Sequence, residues 1–293
     1  MLAGFELLIP QTLDEASALL KEHAGSIRMF AGGTDVFVEM HTDFEAPEYL
    51  MDVKALKELS VFEKRDDGSF FAGAAVSHHT LDRDAYIRKN YTALSEGAGS
   101  VGSVQIRHRG TVGGNVCSAA PSGDTLSPLL CLGAEALIYG NGTRRTVPLN
   151  EFFTGPKRTC LKEGELLEGL ILPKPWENQT SAYIKFSRRN AMDLALLGAA
   201  CCIDTDGDII RNIRIALTTS APTPIRACEA EKYLIGKTID EENLTQAGII
   251  ASGEAKPRTS WRCTEEYRRE VIGVIVPRVI RKALGRTGKG GEC

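Results

Sequence analysis

No Cys-x-x-Cys pair occurs in this 293-residue chain, although it has eight cysteines, at positions 117, 131, 160, 201, 202, 228, 263 and 293. Its five histidines form no His-x-x-x-His pair either. The spacings that announce zinc or iron–sulfur ligation are therefore missing. The cysteines read as reduced thiols, most of them small buried hydrophobes. No apolar run approaches the ~20 residues of a membrane span. The segment 2–10 is apolar but short, lacks a basic start and contains Glu6, so it does not read as a secretion signal and a cytoplasmic protein is expected. A formal net charge of only −3 gives no basis for a nucleic-acid partner. No paired-carboxylate or Ser–His–Asp constellation stands out.

What is present is an ordinary globular balance, 43% hydrophobic and 25% charged, in a chain long enough for two or three domains with sizeable cores. Two glycine turns interrupt it. One is Ala31-Gly32-Gly33-Thr34-Asp35, between the apolar runs 27–30 and 36–40; the other is Thr111-Val112-Gly113-Gly114-Asn115. A Gly-Gly pair permits positive φ and removes the Cβ atoms that would hold a ligand off the backbone. Successive N–H groups in such a turn can converge on an anion such as a diphosphate. A helix starting near Thr34 would add its N-terminal dipole. A lone Gly-Gly pair is by default a tight turn, but the flank of the second points further. Residues 116–125 are almost all small, with polar groups at Ser118, Ser122 and Asp124. A core turn does not need that; a surface under a large flat ligand does.

Apolar periodicity and turn signals predict strands over 5–10, 27–31, 49–53, 70–76 and 135–139, and helices over 81–89, 93–101 and 122–132. Thr12 and Glu15 form a capping-box start for a helix through about residue 23, and Asn141-Gly142 closes a hairpin. Past Pro173-Lys174-Pro175 strands are predicted over 182–188, 195–203 and 209–219, with Asp206-Gly207 turning between the last two. Helices follow over 225–234, 241–252 and 265–284, the last kinked or divided by Pro277. Residues 286–293 read as a frayed polar tail.

Two motif matches are set aside. Gly97 to Gly102 fits Gly-x-Gly-x-x-Gly, but a dinucleotide fingerprint follows a strand and opens a helix. Here a helix precedes it, and 103–109 shows no helical apolar face. Gly236-Lys237-Thr238 looks like the end of a P-loop, but Glu231 stands where the leading glycine belongs.

The chain resembles the FAD-binding medium subunit of the molybdenum hydroxylases, the family of xanthine dehydrogenase and carbon monoxide dehydrogenase. The residues that carry the resemblance are the first glycine turn, the stretch from Gln105 to Asn115, Ala120-Pro121-Ser122-Gly123-Asp124, the stretch from Lys185 to Asp193, and Ala221-Pro222-Thr223-Pro224-Ile225-Arg226. They occur in order over nearly the whole chain, and within the family the xanthine dehydrogenase type is most similar. His108 departs from the pattern, standing where the family usually has Asn.

The resemblance implies an α+β fold. A two-subdomain FAD-binding region of the PCMH/VAO type would occupy 1–175, its subdomains about 1–55 and 56–175, and a domain of sheet plus helices 176–285. FAD would lie extended between the glycine turns. The implied cofactor contacts are Met29, Phe30, Ala31, Gly32, Gly33, Thr34, Asp35 and Val36; Thr111, Gly113, Gly114, Asn115 and Ser118; and Asp124, Leu167, Lys185 and Asp193. Asp124 would lie near the ribose or diphosphate. Lys185 would lie near the flavin, where a cation stabilises the reduced anion. As residues alone, Lys185 reads equally as an exposed strand lysine, and Asp193 better as a turn or cap residue. Arg107-His108-Arg109 reads as counter-charge, partner contact or solvated loop. No catalytic residue and no metal ligand is assigned. Iron–sulfur clusters and the molybdenum cofactor are expected on partner subunits, with NAD or another acceptor taking the electrons. Two other readings stay open: a self-sufficient flavin oxidoreductase, which would need an acid or base not found here, and a non-catalytic nucleotide-binding assembly subunit.

Overall fold

The computed structural model describes residues 4–42 and 46–285; the tail expected over 286–293 lies outside them. The chain opens with a small parallel sheet. Strands Glu6–Leu8 and Ile27–Phe30 both pair in parallel with Tyr49–Asp52, which lies between them. Parallel strands need a crossover, and helix Leu13–Glu22 supplies the first, between the two outer strands. The Thr12 hydroxyl accepts the Glu15 N–H at 3.1 Å and the Glu15 carboxylate accepts the Gln11 N–H at 2.7 Å, so the helix starts where the capping residues predict. Helix Val36–His41 begins the return crossover. Phe30 and Asp52 end at the same edge of the sheet. The first glycine turn therefore emerges at the carboxyl edge, where parallel sheets place their ligands.

The second sheet is antiparallel, in the order Phe62–Lys64, Phe70–Gly73, Glu165–Leu172, Glu135–Gly140, Thr143–Pro148. Asn141 (φ 56°) and Gly142 (φ 73°) turn its last hairpin in the left-handed region. A run of short helices is inserted before Glu135–Gly140, and here the structure departs from the sequence reading. The helix expected over 81–89 is two, His78–Arg83 and Ala85–Asn90. Asp84, in extended conformation, ends the first and caps the second, its carboxylate accepting the Ile87 N–H at 2.9 Å. Val104–Arg109 is a helix although it buries no residue, so it had no apolar face to read. Thr111 to Asn115 is not a loop, because helix Val112–Ser118 begins within it. The helix expected from 122 starts at Leu126. Gly97 to Gly102 begins within the end of helix Thr92–Gly99 and does not follow a strand.

The third sheet, Thr180–Phe186, Leu197–Asp206, Ile209–Thr218 and Ile225–Arg226, is antiparallel throughout. Ile225–Arg226 was expected to begin a helix, which instead spans Cys228–Leu234. This sheet is a wall between two cores. Leu197, Ala199, Cys201 and Ile203 face the helices Cys228–Leu234, Glu241–Glu254 and Glu265–Leu284, whereas Ala200 and Cys202 join the core of the first two sheets. A strand buried on both faces reads as one unbroken apolar run. Pro277 does not divide the last helix. It cannot donate to the carbonyl four residues back, that of Gly273, and that carbonyl lies against Gly248 of the neighbouring helix, where a Cβ would overlap it. Cys131, Cys201 and Cys202 are buried, and burial pushes the Cys202 thiol up to about 12; Cys228 is exposed. Among the described residues no helix is long and apolar enough to cross a membrane.

Candidate functional site

The two glycine turns meet. Gly33, at φ 73°, swings the chain from strand Ile27–Phe30 toward helix Val36–His41. Gly32 lies flat on the second segment: a Cβ there would overlap the Arg109 carbonyl and come within 2.9 Å of Gly110 Cα. In the second turn the Thr111 hydroxyl accepts the Gly114 N–H at 3.0 Å and caps the helix. A Cβ on Gly113 would stand 2.6 Å from the Ala74 carbonyl oxygen, just beyond strand Phe70–Gly73. A Cβ on Gly114 would meet only the Thr111 hydroxyl, at 3.0 Å.

Between the turns lies a cavity of about 560 Å³, within the roughly 300–1,000 Å³ of cofactor and ligand sites. Met29, Phe30, Ala31, Gly32, Gly33, Thr34, Asp35 and Val36 line one side. Thr111, Gly113, Gly114, Asn115 and Ser118 line another, and Leu167 reaches it from the antiparallel sheet. The Ser118 hydroxyl ties the walls together by donating to Asp35 at 2.8 Å, and behind the second wall the Thr125 hydroxyl donates to Asn115 Oδ1 at 2.6 Å. Asp35 thus braces the opposite wall instead of capping the helix that follows it. A side recess of about 110 Å³ shares Arg28, Asp35, Cys117 and Ser118 with the cavity and adds Glu39 and Lys157. There Glu39 holds Arg28 at 3.3 Å and Lys157 at 2.7 Å.

Asp124, Lys185 and Asp193 do not line the cavity. Asp124, only 8% exposed, accepts the Tyr183 hydroxyl at 2.9 Å and pairs with Lys185 at 2.7 Å. Burial raises the Asp124 carboxyl above its ordinary range, against the pull of the Lys185 ammonium. Lys185 also donates to the Ser100 carbonyl at 3.1 Å, one residue from Val101 in the cavity wall. Asp193 accepts the N–H groups of Arg188 and Arg189, both at 3.1 Å, and so shapes its own turn. The sequence reading missed Arg28 and His78 in the wall and Lys157 beside it. No local pattern marks them, because only the tertiary fold brings them to the glycine turns.

Fold and cavity together define a nucleotide-cofactor protein: a glycine-walled cradle between a parallel and an antiparallel sheet, backed by a separate helical core. Residues 3–175 match the FAD binding domain in molybdopterin dehydrogenase, and residues 181–283 the CO dehydrogenase flavoprotein C-terminal domain. The chain is 32% identical over 278 residues to the xanthine dehydrogenase FAD-binding subunit of Escherichia coli O157:H7, covering 94% of this chain and 95% of that one. It is 30% identical over 283 residues to the carbon monoxide dehydrogenase medium chain of Hydrogenophaga pseudoflava, covering 96% and 98%. A solved structure of carbon monoxide dehydrogenase from that organism superposes with a TM-score of 0.94 at 30% identity, over 98% of this chain and 99% of that one. The chain belongs to the FAD-binding subunits of the molybdenum hydroxylase family.

Proposed function

We propose that FAD lies extended across this cavity between the two glycine turns. The chain would be the electron-transfer subunit of a multi-subunit molybdenum hydroxylase of the xanthine dehydrogenase type. The observation that carries the reading is the convergence of Gly33, Thr34, Gly114 and Asn115 on one cavity in a chain with an FAD-binding domain. The residues fit the cofactor. Gly114 lines the cavity and its missing Cβ would meet only the Thr111 hydroxyl, so a ligand can approach the backbone there. Asn115, its Oδ1 held by Thr125, presents its NH2 as a donor. Leu161, Leu167 and Val101 supply apolar surface that keeps water from a ring system. Arg28 and Lys157 at the recess end are already paired with Glu39, so the groups that suit a diphosphate are the backbone N–H groups of the glycine turns.

FAD, when bound, supplies reversible one- and two-electron redox chemistry. This chain's part is to bind, orient and shield it. Asp124, Lys185 and Tyr183 act one layer behind, holding the second turn to the C-terminal sheet. The same reading assigns 1–175 to cofactor binding and 176–285 to a C-terminal domain. Iron–sulfur clusters and the molybdenum cofactor would reside on partner subunits, with NAD or another acceptor downstream. The 32% identity to a xanthine dehydrogenase subunit supports that type.

The test is direct. The purified chain should show flavin absorption with one FAD per chain, no iron, and no hydroxylase activity alone. Coexpressed with an iron–sulfur chain and a molybdenum chain, it should copurify with both. A chain that takes up no flavin, carries stoichiometric iron, or hydroxylates purines by itself would overturn the reading.

A further inference from the structure

His78 is the polar group of the cavity wall that the contacts above leave unexplained. It is 2% exposed, and its buried Nδ1 has no hydrogen-bond partner. Among the described residues neither ring nitrogen is bonded. The backbone holds the residue firmly. Ser77 caps the His78–Arg83 helix and bridges to Thr111, and the His78 N–H donates to the Gly110 carbonyl at 3.0 Å. The ring reaches the junction of the two glycine segments. A Cβ on Gly110 would lie 3.2 Å from His78 Cδ2 and 3.4 Å from the Thr34 hydroxyl oxygen.

An unpaired buried polar group costs stability, and an apolar side chain would fill the same space without that cost. With the proton on Nε2, the sealed Nδ1 is left as an acceptor and the ring's donor is the nitrogen next to Cδ2, at the junction of the glycine segments. Burial, with a smaller contribution from the Arg107 charge, holds the imidazole at about 4, so it is neutral at physiological pH. A neutral imidazole protonated on Nε2 offers one donor to a ligand oxygen.

We propose that His78 is a cofactor-positioning residue, donating an Nε2–H hydrogen bond to an oxygen of the bound flavin nucleotide at the junction of Thr34 and Gly110. This rests on the reading of the cavity as the FAD site. The test uses the full chain with His78→Leu and His78→Gln, the latter keeping a donor near the Nε2 position. FAD affinity is measured by flavin fluorescence titration, and the thermal midpoint is measured on the cofactor-free protein. His78→Leu should bind FAD at least tenfold more weakly while its cofactor-free midpoint stays equal to or above wild type. His78→Gln should recover part of the affinity. Equal affinity and an unchanged flavin spectrum in His78→Leu, with wild type binding FAD, would overturn the role of His78 alone. So would a lower cofactor-free midpoint in His78→Leu that accounts for its weaker binding, without rescue by Gln. A wild-type chain that binds no FAD would instead sink the reading of the cavity, and this proposal with it.

Discussion

In sequence the two Gly-Gly pairs look interchangeable; in the structure they do different things. Gly32-Gly33 leaves the carboxyl edge of a parallel sheet. Gly33 needs a left-handed backbone there, and Gly32 presses on the Arg109–Gly110 backbone. Gly113-Gly114 occupies the first turn of a helix, without positive φ; Gly113 presses on Ala74, and Gly114, which lines the cavity, meets only the Thr111 hydroxyl. A missing Cβ therefore marks close approach without saying of what: at Gly32 and Gly113 it is the chain itself, and at Gly114 it is the cavity. Support differs too. The first turn is anchored by the strand it ends. The second is braced from behind, by Thr125 on Asn115 and by the buried Asp124–Lys185 pair to the C-terminal sheet.

The largest effect should come from removing that brace. Asp124→Ala leaves the Lys185 ammonium buried without its carboxylate, which should destabilise the fold by about 3–5 kcal/mol in urea unfolding. A loss under about 1 kcal/mol would mean that the second turn does not lean on the C-terminal sheet. Next comes Gly114→Val, which should weaken FAD binding about a hundredfold, or about 2.7 kcal/mol. The cofactor-free thermal midpoint should stay close to wild type. Gly32→Ala should do the reverse, costing about 1–3 kcal/mol of cofactor-free stability through overlap with Arg109. If both variants lost stability equally, the distinction between a packing glycine and a cavity glycine would collapse.

A smaller effect should appear in pH dependence. His78 takes up its proton at about 4 in the folded chain, against an ordinary 6.5. Between those values the unfolded chain holds the proton and the folded chain does not. The stability from this group is therefore complete above pH 6.5 and is lost as pH falls toward 4, at up to about 1.4 kcal/mol per pH unit. The wild-type slope minus that of His78→Leu isolates it; parallel curves would show that the ring is not held neutral against Gly110. The smallest effect is expected from Ser118→Ala, which cuts the tie between the walls at Asp35. An exposed hydrogen bond of this kind is worth roughly 0.5–1 kcal/mol, read as a slight shift in chemical unfolding.

Much of the fold was legible where local chemistry suffices. Thr12 and Glu15 announce the first crossover helix, and Asn141-Gly142 its hairpin, because caps and left-handed turns depend on a few adjacent residues. The long strand Leu197–Asp206 was legible as an apolar run, but not that its alternate residues serve two cores. Helix Val104–Arg109 was hidden because it buries nothing. Helix Val112–Ser118 was hidden because glycines in its first turn disguise it.

By itself the sequence marked residues 31–35 and 111–115 as segments that permit close approach to the backbone, and showed no cysteine or histidine spacing of the kind that announces a metal cluster. Both are properties of neighbouring residues. Only the tertiary structure decided which glycine opens on the cavity, that Asp124 and Lys185, 61 residues apart, satisfy each other, and that His78 joins the wall without a partner. The reason is physical: the absence of a Cβ or the presence of a charge is written locally, but what fills the space or answers the charge comes from segments that only folding brings together.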